Sequence, residues 1–286
     1  MRLALLTALT MTAFAANSVL NRMALKGGLI DALPFAAIRL VSGALVLAAL
    51  ALVLGRGLPV RAGGRAAGVL SLFVYMLGFS LAYLSLDAGA GALILFGGVQ
   101  ITMFTGALLG RESVPARRWV GVALAFAGLL WLLWPSEAGG IAIMPALSMA
   151  TAAVGWGVYS MAGRKGGDPL AGTAANFLLA APLAVLALAV VPDVAAEIPA
   201  TAAGIGLALV SGIVTSGLGY ALWYAILPQL GSTRAAVAQL TVPVIAAGGG
   251  LVLLAEPPTP RFLLASVLVL GGVLVATVPM RAGKSA

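Results

Sequence analysis

The residues of this chain that could do chemistry are few, and they sit inside long apolar runs. Arg39 is the clearest: Phe35-Ala36-Ala37-Ile38-Arg39-Leu40-Val41 puts a guanidinium about one turn into a hydrophobic stretch. An ionisable group in that setting is a functional hypothesis by default, here a cation that attracts a substrate carboxylate. The other reading is an arginine that snorkels to an interface. Asn17 and Asn21 stand one helical turn apart on one face. They can bind the polar groups of a zwitterion or bond neighbouring helices, and Asn21, nearer the helix end, reads as such a bond. Gln100 and Gln239, one in each half, leave the same two readings open, and Asn176 is the uncharged counterpart of Arg39 in the second half.

Aromatic residues gather in three stretches: Tyr75 with Tyr83, Trp156 with Tyr159, and Tyr220 with Trp223 and Tyr224. A wall of Trp and Tyr receives a flat apolar side chain while its OH and NH groups fix orientation. Rings near helix ends also form interfacial belts. Trp119, Trp131 and Trp134 fit the belt. Trp156 and Tyr159 lie more than a turn inside their stretch and read as cavity lining, and Tyr83, Trp223 and Tyr224 lie near ends, where both readings stand.

Other chemistries are excluded by composition. The chain has no cysteine and no histidine, so disulfides, thiolate or imidazole metal sites and a Ser-His-Asp triad are ruled out. Asp and Glu fall in loops or at the ends of apolar runs, so no carboxylate is placed for a mid-membrane proton relay, and passive facilitation or exchange driven by a solute gradient is expected. Gly283-Lys284-Ser285 is not a phosphate loop, because Val278 stands where the pattern needs its first glycine. No catalytic residue, metal or cofactor is assigned.

These residues are carried by apolar segments. The 286 residues are 62% hydrophobic and 8% charged, against about 25% charged in soluble domains. Ten segments are long enough to span a bilayer: 3–22, 34–54, 66–86, 89–110, 117–134, 141–162, 170–191, 202–227, 232–254 and 261–279. Alternate loops divide the charges. One side takes Arg2, Arg56, Arg61, Arg65, Arg111, Arg117, Arg118, Arg164, Lys165, Arg234, Arg281 and Lys284. The other takes only Arg22, Lys26 and Arg261, with Asp31, Asp87, Glu137, Asp193, Glu197 and Glu256. The positive-inside rule then puts both termini in the cytoplasm, and the net charge of +8 reports topology rather than nucleic acid. Arg2, the following apolar run and Ala13-Phe14-Ala15 imitate a signal peptide.

The repeat argues for a retained helix instead. Thr12–Gly28 (TAFAANSVLNRMALKGG) recurs 139 positions later as Thr151–Gly167 (TAAVGWGVYSMAGRKGG). Gly110-Arg111-Glu112-Ser113-Val114-Pro115 recurs 144 positions later as Leu254-Ala255-Glu256-Pro257-Pro258-Thr259, and Gly128 matches Gly272 at the same distance. The unit is five helices, residues 1–136 and 137–286. Five is odd, so the second copy enters the membrane from the opposite side. Such inverted repeats recur in secondary transporters, which bind solute near the midplane and open alternately to either side.

The five-plus-five layout, Gly110-Arg111-Glu112 and Ala255-Glu256 closing the fourth and ninth helices, the Gly-rich helices that follow, and Trp156 resemble the drug/metabolite transporter superfamily, EamA type. Within it the chain most resembles the YddG-like amino-acid exporters of bacterial inner membranes. That resemblance implies outward movement of aromatic and other neutral amino acids. Leu240-Thr241-Val242-Pro243 is family-like, whereas Gly98-Val99-Gln100 lacks the proline that often stands in the fourth helix. Pro243 and Gly248, the latter opening Gly248-Gly249-Gly250, are candidate hinges or simply packing positions.

The expectation is an all-α polytopic protein of the inner membrane, with ten helices in two inverted repeats. It is a monomer that exports a small solute, amino acids first and other amphipathic solutes, such as drugs or nucleotide precursors, second. Its partners are the solute and the bilayer. A membrane-embedded enzyme is disfavoured, because Asp31 and Asp87 stand alone.

Overall fold

A computed structural model describes residues 1–112, 114–134, 141–163, 167–190 and 198–278. Glu137, Arg164, Lys165, Asp193, Glu197, Arg281 and Lys284, and the junction expected at 136/137, lie outside the described residues. What is described is helical, with no strand. The rods are α1 (Arg2–Lys26), α2 (Ala32–Val53), α3 (Arg65–Ala82), α4 (Ala88–Leu109), α5 (Ala116–Leu133), α6 (Ile143–Ala162), α7 (Pro169–Val190), α8 (Ala202–Gly231), α9 (Arg234–Leu254) and α10 (Pro260–Thr277). In hydrocarbon only a helix satisfies its own backbone, so an apolar run that spans becomes one.

Nine of these rods are long and apolar enough to cross a membrane. The exception is α6, 20 residues long, whose Ser148, Thr151, Trp156, Tyr159 and Ser160 lower its hydropathy. It packs extensively against both α3 and α4 through Ala152, Gly155, Trp156 and Tyr159, while Leu147, Thr151 and Val154 stay exposed on its other face. Small residues allow the approach. A Cβ on Gly78 would meet the Ser148 carbonyl at 2.7 Å, and one on Gly155 would meet that of Ser71 at 2.7 Å.

Contacts between loops sort the ends of the rods into two faces. Arg56 pairs with Asp168, Arg65 donates to the carbonyls of Pro59 and Gly172, and Arg117 donates to Val278 O, which joins the loops of the basic end. At the other end Arg22 and Lys26 meet Glu256, Asp31 accepts from the Ile198 amide, Thr201 bonds Leu29 O, and Arg261 donates to Trp131 O.

The most extensive packing pairs α5 with α10, α3 with α6, α2 with α7 and α4 with α6, and α1 also packs along the successive parts of α8. Among the described residues the only non-glycine positions with positive φ are Arg111 (56°) and Ala255 (52°), and Gly28 (60°) and Gly167 (91°) also share that sign. Each pair lies at matching positions of the sequence stretches aligned above, 144 and 139 residues apart.

Two rods are interrupted. α8 winds as a π-helix over Ser211–Leu218, and at Gly231 its backbone turns out of helical conformation (φ 71°, ψ 164°). The helix Gly219–Gln239 is joined to Thr241–Leu254 through Leu240. Pro243 sits in the first turn after that joint, where its missing N–H is harmless, and the helix runs unbroken through Gly248.

Candidate functional site

The rods bring one aromatic cluster together at their centre. Trp156 of α6 stacks on Tyr159 (5.4 Å between centroids) and on Tyr220 of α8 (5.2 Å), and lies 4.9 Å from Tyr75 of α3. Phe14 of α1 meets Tyr220 and Trp223 edge-on. The rings surround a small cavity lined by Phe14, Asn17, Ser18, Tyr75, Phe79 and Trp156, with Leu95, Phe96 and Tyr220 completing it. Its volume is about 20 Å³, room for about one water. A solute the size of an amino acid enters only when the rods move apart.

One side of the cavity is anchored by Asn17. Its Oδ1 accepts from Ser211 Oγ at 2.8 Å and from Thr215 Oγ1, and its Nδ2 donates to Thr215 O at 3.3 Å. Such π-turns occur often at functional sites, and here the turn supplies the carbonyl that Asn17 uses. Asn21 reverses the expectation. It is fully buried, yet neither its Oδ1 nor its Nδ2 has a hydrogen-bond partner, so it does not bond a neighbouring helix.

Arg39 is fully buried, which discards the snorkelling reading. Its Nε donates to Ser216 Oγ (3.0 Å) and its Nη2 to Tyr75 OH (3.2 Å), and its guanidinium lies 4.8 Å from the Phe79 ring centroid. Tyr75 therefore links Arg39 to the cavity wall.

The other expected residues are dispersed. Tyr83 is buried beyond Phe79 and donates to Ala88 O, away from the cavity lining. Tyr159 donates to Thr173 Oγ1 at 3.0 Å. Asn176 accepts from Arg65 Nη1 near the basic end rather than facing Arg39. Trp223 is buried against Phe14, whereas Tyr224, Gln100 and Gln239 are half-buried and outside the lining. Phe14, Ser18 and Phe79 were not anticipated. Their signal was spacing, since Phe14, Asn17, Ser18 and Asn21 share a helix face and Phe79 lies one turn from Tyr75.

The end opposite the basic one is closed by charge. Arg22 Nε donates to Glu256 Oε1 at 2.8 Å, its Nη1 donates to the carbonyls of Tyr83 and Leu84, and its Nη2 is 3.6 Å from Asp87. Lys26 Nζ lies 3.3 Å from Glu256 Oε1, and the Ala88 amide donates to Glu256 Oε2 at 2.9 Å. This knot ties α1, the α3–α4 loop, α4 and the α9–α10 loop together. Glu256 thus bonds segments distant from it in the sequence. Burial opposes its ionisation, but the Ala88 amide, Arg22 and Lys26 outweigh burial and hold the carboxyl below its ordinary value. Burial raises Asp87, and the Glu256 charge adds to that rise against Arg22 and Lys26. A cavity of about 130 Å³ lies beside the knot, bounded by Asp87, Gly89, Glu256, Thr259, Arg261 and Phe262 among others. Among the described residues no group of three or more Asp or Glu side chains could hold a metal ion.

Residues 143–278 match the model of the EamA-like transporter family. An uncharacterized protein of Pseudomonas aeruginosa is 46% identical over 286 residues, which is 100% of this chain and 97% of that one. An uncharacterized transporter of Archaeoglobus fulgidus is 27% identical over 216 residues, 73% of this chain and 75% of its own. A solved crystal structure shares the fold with a TM-score of 0.66 at 22% identity, covering 96% of this chain and 97% of its own.

Proposed function

Because the chain belongs to the EamA-like transporter family of the drug/metabolite transporter superfamily, and so is a membrane transporter of small solutes, we propose that its substrates are aromatic and other neutral amino acids. The observation that carries this reading is the central cavity, where a flat side chain finds the rings of Trp156, Tyr75, Phe79 and Tyr220 and polar atoms find Asn17 and Ser18.

Transport runs by alternating access between two five-helix units, 1–136 and 137–286, which rock around that cavity. The matched backbone signs at Arg111 and Ala255 and at Gly28 and Gly167 support the two-unit reading, as does packing of α2 on α7 and α5 on α10, which are mates under the repeat. The basic end faces the cytoplasm, both termini lie there, and the membrane is the inner membrane of a bacterial cell. The working unit is a monomer, and the solute's own gradient sets the net direction. Bending falls in α8 and α9, where Gly231 and Leu240 already interrupt the helix and Pro243 and Gly248 follow.

The test is uptake of a labelled amino-acid panel by the purified protein in liposomes. Phe, Trp and Tyr should enter faster than in empty liposomes, with Thr and Met slower than these. If none of the five exceeds the empty-liposome rate, the amino-acid assignment fails.

A further inference from the structure

Arg39 presents a problem that the protein alone does not solve. It carries a charge in the middle of the bundle, and two of its three nitrogens reach only neutral hydroxyls, Ser216 Oγ and Tyr75 OH. Its Nη1 has no hydrogen-bond partner at all. Among the described residues no carboxylate comes within 4.0 Å of it, since their ion pairs belong to Arg22, Lys26 and Arg56. A guanidinium is always charged, so it does not escape this cost by neutralising. The flanking rings of Phe79 and Tyr75 soften the burial without supplying a negative charge.

A buried charge that is neither paired nor fully bonded is expensive, and it persists where its environment changes during function. The missing partner is an anion that comes and goes. Two features give its chemistry. The free Nη1 stands beside Nη2 in a planar fork, the geometry that grips a carboxylate through two parallel hydrogen bonds. The Tyr75 hydroxyl oxygen accepts from Arg39 while the Tyr75 ring lines the aromatic cavity, so the fork and the cavity share a wall. A molecule with a flat apolar side chain at one end and a carboxylate at the other would satisfy both.

We propose that Arg39 is the carboxylate anchor of the central site: on widening of the cavity, Nη1 and Nη2 take the carboxylate of the bound solute and Tyr75 OH turns from Arg39 toward it. This rests on the amino-acid reading of the cavity and names which end of the substrate each group holds. Arg39 is then the residue that makes the site select acids over otherwise identical neutral or cationic molecules.

The experiment is equilibrium binding of labelled L-tryptophan to the purified full chain, with competition by unlabelled tryptophan, tryptophanamide and tryptamine. The wild type should prefer tryptophan over tryptophanamide and tryptamine by 10-fold or more. Arg39→Lys should keep part of that preference, and Arg39→Gln should abolish it by weakening tryptophan far more than tryptophanamide. A merely structural arginine would weaken all three ligands together. If Arg39→Gln does not fold, Tyr75→Phe and the wild-type ratio still decide. Tyr75→Phe, which keeps the guanidinium, should lower the acid-to-amide ratio by about 3-fold, roughly 0.7 kcal/mol. Equal wild-type affinity for tryptophan and tryptophanamide overturns the anchor and leaves amino-acid transport standing. Binding of neither overturns the amino-acid reading and the anchor with it.

Discussion

Glu256→Gln removes one charge from the knot at the end opposite the basic one while keeping the side chain's shape and its capacity to accept from Ala88. Both partners of the pair are nearly enclosed, with side chains 10% exposed for Arg22 and 5% for Glu256. Breaking a buried pair on one side costs about 3–5 kcal/mol, because the remaining charge stays desolvated. Arg22 here retains the carbonyls of Tyr83 and Leu84 and a distant Asp87, which places the loss near the low end, about 3 kcal/mol. By contrast, Arg56 and Asp168, which tie the basic end, are 46% and 32% exposed, and such pairs contribute about 0–1 kcal/mol. Thermal or denaturant unfolding of the purified protein, run as a double-mutant cycle with Arg22→Met, isolates the pair from its surroundings. The cycle should return a coupling of about 2 kcal/mol or more, whereas the Arg56–Asp168 cycle should return under about 1 kcal/mol. Equal couplings at the two ends would refute the reasoning that burial makes the Arg22–Glu256 pair stronger than Arg56–Asp168.

Four further outcomes follow from the geometry. Glu256 titrates lower in the folded chain than unfolded, so its contribution to stability is complete above the unfolded value near 4.5 and disappears as pH falls through the lower folded value; a pH series of melting temperatures on Glu256→Gln should lack this acid-side fall, and retention of it would assign the fall elsewhere. Asn17→Ala leaves the buried Ser211 hydroxyl without its acceptor, while the Thr215 hydroxyl keeps Ser211 O, and should destabilise by about 1–3 kcal/mol in the same unfolding assay. Gly212→Ala would drive a methyl group into Ser42 Oγ and to 2.5 Å from Arg39 O, lowering stability by about 1–3 kcal/mol; an unchanged melting temperature would mean that α2 and α8 are not held so close. Trp156→Leu removes two stacked contacts and should slow tryptophan uptake about 10-fold relative to threonine, with unchanged relative rates removing Trp156 from the site.

Much of this was legible because a membrane leaves few choices. Apolar runs bounded by Lys-Gly-Gly, Gly-Arg-Gly and Pro-Pro become rods, and charge asymmetry between alternate loops sorts their ends, so the rods fall within a few residues of the runs read from hydropathy. The exceptions lie where one helical run hides a change of winding: Ser211–Leu218 reads as ordinary small-residue helix, and nothing in its composition marks a π-turn. The site was half legible. Trp156, Tyr75, Tyr220 and Asn17 converge, whereas the mid-span amides Gln100 and Gln239 do not. Tyr83 and Asn176 do not, because distance along a helix says how deep a residue lies and not which way it faces. Asn21 was misread for the same reason: a neighbour one turn from a bonded asparagine shares its face but not its partner. The partnership of Arg22 with Glu256 joins residues 234 positions apart, and no local pattern carries it.

The central claim, that solute reaches the aromatic cavity from each side in turn, is tested by the accessibility of a single thiol. The native chain has no cysteine, so Ser18→Cys places a unique reporter in the cavity wall. A membrane-impermeant thiol reagent is applied to right-side-out and to inside-out vesicles, with and without tryptophan. Labelling from both sides, slowed by tryptophan in each orientation, is the predicted result. Labelling from one side only, or labelling indifferent to tryptophan, would contradict alternating access through this cavity.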